Sequence, residues 1–428
     1  ILAPPPHSSR IFRHILALLT ERAFTLLIRM SSHCKPLDTK FLLKRTKNYI
    51  TAAEDLEPLA TLPSFPVGMY CVPVEFSAQE WATDMHWMIS RSTGAIQLAD
   101  LIDTSILYDS QHESGAVGGL WKRHHEQFCE FVESFGKTKV LEIGGGHGNL
   151  ARLFVERNPY SQWIIIEPNM PPSLLHGACP PQIIPLEGWF GKDFQLPAEL
   201  SDIDVIVHSH TLEHIYDYEE FLGGLSRLKP SLQIFSVPYQ KEWLRRGWQN
   251  SIMFEHPQLL TPNSIEYMMH CHGFSLLRKD IFADSHSIFY AFIFDQGSKT
   301  ISQLPPPNEY EENKNLFNTW LTANKDFVAR TNKCIATHSN QEAIYVFGAH
   351  IFTQYLVSFG LNITKVKYIL DNAPDKQGKR LYGLNQLVCS PEILRSDENP
   401  AVVLRVGAYA DEIKEGIRGI NPNVIFWE

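Results

Sequence analysis

Positions 140 to 148 read Val-Leu-Glu-Ile-Gly-Gly-Gly-His-Gly, and no other stretch restricts the fold as strongly. The branched apolar run is a buried strand. Gly144, Gly146 and Gly148 then mark a turn whose backbone takes positive φ or comes closer to a ligand than any side chain would permit. A helical pattern follows from Leu150 to Arg157. Strand, glycine turn and helix in that order open a parallel α/β unit that holds a nucleotide-like cofactor at the carboxyl edge of its sheet.

Two cofactor classes compete for such a turn. A dinucleotide site uses GxGxxG so that a pyrophosphate rests on the helix N-terminus. Counted from Gly144, that third position is Asn149, and the triplet closes as GxGxG. Glu142, just before the glycines, would repel a pyrophosphate but stabilise a donor bearing an ammonium and a sulfonium. A second strand ends Ile164-Ile165-Ile166-Glu167, so Glu167 falls 19 residues past Gly148, near the spacing of the ribose-binding acid in dinucleotide folds. Together, Glu142, Gly144, Gly146, Gly148 and Glu167 resemble the S-adenosylmethionine site of class I methyltransferases.

Alternation continues around this core. Leu120, Trp121, His124, Phe128, Phe131 and Val132 recur at helical spacing before the strand at Lys139 to Ile143. Strand patterns at Asp204 to His208 and Gln233 to Val237 flank a helix over Asp217 to Leu228, and the runs Phe274 to Leu277 and Ile288 to Phe294 extend the sheet as antiparallel edges. We expect an α/β protein with a class I methyltransferase Rossmann-like core over residues 116–300. A small, loop-rich N-terminal domain occupies 30–115, punctuated by Pro63, Pro66 and Pro73. A linker and bridging helix cover 301–340, and a second, smaller α/β domain covers 341–428. Residues 10 to 29 carry four arginines against one acid, as a targeting segment would. Residues 1–29 read as an appendage ahead of Met30, the first methionine.

The strand ending at His208 runs into Ser209-His210-Thr211-Leu212-Glu213-His214. Ligands bind outside the carboxyl ends of strands in open α/β sheets, so this tip faces the cofactor, with His210 beside it. A neutral imidazole at His214 suits removal of a proton from carbon or oxygen, and Glu213 suits a substrate contact or support of that imidazole. His256 and His286 are further candidates. His208 and His210 form one HxH pair, but no HExxH helix accompanies it, and a metal is not expected. Trp189 and Phe190 are candidate walls for the adenine or acceptor.

A net charge of -9 argues against a general nucleic-acid binder. The 44% hydrophobic and 20% charged residues supply ordinary cores rather than a disordered chain. Four charges between Ile11 and Met30 argue against a membrane span there. No two of the seven cysteines lie closer than Cys34 and Cys71, 37 positions apart. That spacing fits reduced thiols and a cytoplasmic setting.

The order of these motifs resembles the sugar C-methyltransferase family, which methylates a carbon of nucleotide-linked keto sugars. The resemblance rests on Leu141 to Gly148, on Leu212-Glu213-His214-Ile215 followed by Asp217, on Phe254-Glu255-His256, and on Val346-Phe347-Gly348-Ala349 with Ile369 to Lys379 in the last domain. It implies a base at His214 and an acid at Glu213 that holds the sugar. It also implies a C-terminal Rossmann-like domain and a small-molecule acceptor such as a nucleotide sugar, with Arg245-Arg246 and Lys379-Arg380 as phosphate partners. The chain departs from the family where a cysteine pair of its zinc site would stand, reading Ser90-Arg91-Ser92-Thr93-Gly94. It departs again in the phenol-poor stretch Tyr108 to Ser114. An O- or N-methyltransferase acting on another metabolite, or a cofactor-binding assembly subunit, are the competing functions.

Overall fold

The computed structural model describes residues 34–76, 79–108, 118–175, 179–191, 193–295, 305–338 and 343–428. The appendage at 1–29 and positions 109–114 of the phenol-poor stretch lie outside them. At the centre stands a seven-stranded sheet: β1 (Lys139–Ile143), β2 (Gln162–Glu167), β3 (Ile183–Glu187), β4 (Val205–Ser209), β5 (Leu232–Pro238), β6 (Phe274–Phe282) and β7 (Ser287–Phe294). The strand order is β3-β2-β1-β4-β5-β7-β6. The first five strands run parallel, and β7 is antiparallel to both β5 and β6.

Period-two alternation decides which helices cover which face. Val140, Trp163, Ile165, Val205, Val207 and Ile234 share one core with helices α1 (Gly119–Glu133) and α2 (Asn149–Arg157). Leu141, Ile143, Ile164, Ile166, Ile206 and Phe235 share the opposite core with α3 (Tyr218–Leu228) and α4 (Pro262–Cys271). Strands buried on both faces read as continuous apolar runs, which is why Ile164-Ile165-Ile166 carries no polar residue. The order in which strands are added reverses between β1 and β4, and a parallel sheet opens a crevice for ligands at such a point.

The segment ahead of the sheet is more regular than its sequence suggests. Its longest elements are antiparallel strands at Leu56–Pro66 and Trp81–Ser90. Prolines at 58, 63 and 66 obscure the alternation, and the register slips beside them, between Pro58 and Ala60 and between Leu62 and Phe65. Bulges are where strand prolines are tolerated. At the other end, a five-stranded parallel sheet of short strands is built on Ile344–Phe347.

The N- and C-terminal segments share one apolar core. Phe65 meets Tyr355 at 5.0 Å and Phe254 at 6.0 Å between ring centroids. Helix α5 (Tyr310–Thr337) seals that core with Phe317 and Trp320. A buried ion pair, Arg380 with Glu80, also joins the two segments, and Glu80 accepts a second hydrogen bond from the Gly383 amide at 2.6 Å. Among the described residues no helix is long and apolar enough to cross a membrane.

Candidate functional site

The glycine turn leaves β1 with φ of +73° at Gly144, +50° at Gly146 and +72° at Gly148. A side chain on Gly145 would place its Cβ 2.6 Å from Ile165 Cγ2 and 3.0 Å from the Glu142 carboxylate. A Cβ on Gly146 would meet nothing within 4 Å. The turn is therefore packed from below and open above, the shape a close-lying ligand requires.

Glu142 lies beneath that turn, 2% exposed, and accepts a 2.7 Å hydrogen bond from the Trp163 indole. Burial pushes its carboxyl up to about 7, against the opposing pull of that indole. Any effect of Glu142 on a ligand is transmitted from under the backbone. Glu167 stands at the tip of β2, accepting from the amides of Gly146 at 3.0 Å and Asn169 at 3.1 Å. These bonds fix the carboxylate at the open rim, with lone pairs left for ligand hydroxyls. Both acids and the open turn fit a cofactor carrying a ribose and an amino-acid end.

The tip of β4 forms the other wall. Thr211 packs on Gly144 and donates to the Ile143 carbonyl at 3.2 Å, locking the β4 turn to the glycine turn. His210 holds φ +51°, a conformation that costs a residue with a Cβ roughly 1–2 kcal/mol. Its Nε2 lies 3.1 Å from Ser287 Oγ and its ring sits 4.8 Å from Trp121. Its Nδ1 is 3.2 Å from Glu213 Oε1. Burial lowers His210 to about 3 and raises Glu213 to about 7, so near neutral pH this contact joins a neutral ring to a partly protonated carboxyl rather than two full charges.

Glu213, His214 and His256 converge, with one ligand-type atom of each within 4.8 Å of the others. Glu213 is fully buried, and apart from the His210 contact at Oε1, which is not a hydrogen bond, its oxygens have no hydrogen-bond partner among the described residues. His214 is half-buried, with Nδ1 3.0 Å from Tyr108 Oη. Burial holds that phenol far above its usual range, so it remains a neutral hydroxyl. His256 is buried and pushed down to about 3 by desolvation.

The segment bearing His256 is fixed by the strand Ile96–Leu98. The Leu98 amide donates to the Pro257 carbonyl at 2.8 Å, and the Leu259 amide to Ile96 at 2.9 Å. Gln258 in turn donates to the carbonyls of Glu213 and Ile215 at 3.0 and 3.1 Å. Residues far apart in sequence are thus held in one rigid constellation.

The remaining sequence candidates separate. His208 stacks on Phe235 at 4.7 Å in the core and does not converge with His210. His286 is buried, with Nδ1 2.8 Å from Ser287 Oγ, beside His124 and Trp121. Trp189 is 63% exposed, and with Phe190 it lines a surface cavity of about 600 Å³ near Glu220. The sequence reading did not select Tyr108, Thr211, Trp121 or His124. The last two are three positions apart on α1 and were absorbed there as core.

Residues 120–279 match a family model described as a methyltransferase domain. No curated protein matches the chain. Among solved structures, a 1,6-didemethyltoxoflavin N1-methyltransferase from Burkholderia thailandensis is 10% identical over 40% of this chain and 78% of its own, with a TM-score of 0.33. An S-adenosylmethionine-dependent methyltransferase from Clostridium acetobutylicum is 10% identical over 40% and 92%, at 0.33. A third, from Aquifex aeolicus, is 12% identical over 39% and 88%, at 0.32. The parallel strands around β1 and the helices that cover them thus lie in the part of the chain that matches a methyltransferase domain.

Proposed function

We propose that this chain methylates a small acceptor held against Glu213, His214 and His256, with S-adenosylmethionine lying over the turn from Gly144 to Gly148. The observation that carries the reading is the convergence of those three side chains at the tip of β4, where Glu213 lies two residues beyond Thr211, which touches the glycine turn. In this reading Glu167 accepts the donor's ribose hydroxyls. Gly144, Gly146 and Gly148 admit its backbone-like chain, Glu142, whose ionised form the donor's positive charge favours, supplies negative potential from beneath the amino-acid end, and His210 shapes the wall beside it. When bound, the donor supplies an electrophilic methyl group on a sulfonium.

The acceptor class favoured by the resemblance is a nucleotide-linked keto sugar, methylated at the carbon next to its carbonyl. With Nδ1–H donating to Tyr108 Oη, the His214 lone pair is directed to Nε2, where it removes the α-proton. Glu213, in the protonated form that burial favours, donates a hydrogen bond to the oxygen on which charge develops, and a buried donor is worth more there than in water.

Deuterium exchange tests this directly. A keto-sugar substrate incubated in heavy water with wild-type protein exchanges its α-hydrogen, and His214→Ala abolishes that exchange. Equal exchange with both proteins removes His214 as the base. Methylation recovered only on an oxygen or nitrogen of the acceptor replaces the carbon assignment.

A further inference from the structure

Glu213 places a carboxyl group in the interior at the tip of β4. It is fully buried; Oε1 has His210 Nδ1 at 3.2 Å without forming a hydrogen bond, and Oε2 has no hydrogen-bond partner among the described residues. Burial without partners is costly for a carboxyl group, and a polar group left in that state calls for an explanation. Beside it, the ring of His256, 8% exposed, leaves Nδ1 without a hydrogen-bond partner among the described residues. One ligand-type atom from each of Glu213, His214 and His256 lies within 4.8 Å of the others.

We propose that these three side chains form a site for one divalent transition-metal ion. Two imidazoles with one carboxylate select ions such as zinc, cobalt or iron over magnesium and calcium, which prefer all-oxygen ligands. An ion about 2.1 Å from each ligand atom sets neighbouring ligands about 3–3.5 Å apart. Closing the cluster onto an ion therefore takes side-chain movements of about an ångström, with no change of backbone.

The supports expected of metal-binding histidines are also present. A ligating imidazole is oriented by a partner on its other nitrogen. His214 has Tyr108 Oη at 3.0 Å from Nδ1. The His256 ring faces the backbone of Asn250 and Ser251, leaving Nδ1 for the ion. Three protein ligands leave at least one position open to a small molecule.

The consequence of loading, unlike the site itself, rests on the function proposed above. An ion and a proton compete for the same His214 lone pair, so a loaded site suppresses methyl transfer by the proton-removal route.

Cobalt(II) added to chelator-stripped full-length protein is the probe, read by visible absorption and by metal content after gel filtration. The proposal predicts one cobalt per folded chain. It predicts affinity lowered by more than about 10- to 100-fold, the loss typical of an outer-shell change, in Glu213→Gln and in His256→Ala. His208→Phe, which alters a buried histidine outside the cluster, binds as wild type does. Absence of stoichiometric uptake by the wild type, or equal uptake in Glu213→Gln and His256→Ala, overturns it.

Should either variant fail to fold, anomalous scattering from wild-type crystals grown with cobalt decides. A peak among the three side chains supports the site, and a peak elsewhere refutes it. A chain that binds cobalt here and methylates nothing keeps this proposal and sinks the functional one, so the two failures are distinguishable.

Discussion

Replacing Glu213 with glutamine isolates the electrostatic state of the cluster. Burial raises this carboxyl from 4.5 to about 7. Between those two pH values the native state holds a proton that the unfolded chain has released. Native stability therefore falls as pH rises through this window and levels off above the folded value. The displacement corresponds to about 3 kcal/mol against the charged form. About 1 kcal/mol of that cost is already present at pH 5 and nearly all of it at pH 8.

Glutamine has the same shape and cannot ionise, and whatever its amide loses by burial is the same at both pH values. Glu213→Gln should therefore gain about 2–3 kcal/mol relative to wild type between pH 5 and pH 8. Urea denaturation with a chelator present, followed by tryptophan fluorescence at several pH values, measures the difference. A variant-minus-wild-type difference that is flat with pH, or that falls as pH rises, refutes the claim that burial raises this carboxyl.

Two further substitutions probe the scaffold. Gly145→Ala places a methyl group 2.6 Å from Ile165 Cγ2, and the displacement of the turn should weaken S-adenosylmethionine binding by at least about tenfold, or about 1.4 kcal/mol, in calorimetry. Arg380→Ala leaves Glu80 buried and short of its cation. It should cost about 3–5 kcal/mol in chemical denaturation, because removing one partner strands the other charge.

The parts of this molecule legible from sequence are those whose signal is local. Val140 to Gly148 spells out strand, turn and helix within a few residues, and Ile164-Ile165-Ile166 marks a strand buried on both faces. Where a proline interrupts alternation the pattern is lost. Strand β3 contains Pro185 and is readable only once its place at the sheet edge is known, where a missing amide is tolerated. The paired strands ahead of the core hide behind Pro58, Pro63 and Pro66 in the same way.

The candidate site divides similarly. Glu213 and His214 announce themselves at a strand tip. Their convergence with His256, 42 positions beyond His214, depends on the strand Ile96–Leu98 gripping residues 257–259, which no periodicity records. Tyr108 joins the cluster through a contact across 106 positions. The lowered basicity of His256 and the raised carboxyl of Glu213 are products of burial, and burial is a property of the folded state.

Titration calorimetry of S-adenosylmethionine into wild-type protein and Glu167→Ala tests the central claim most directly. The account predicts one site per chain, weakened in the variant by about 1–3 kcal/mol through loss of charge-assisted hydrogen bonds to the donor. No binding by the folded wild type, or the same affinity in Glu167→Ala, would contradict it.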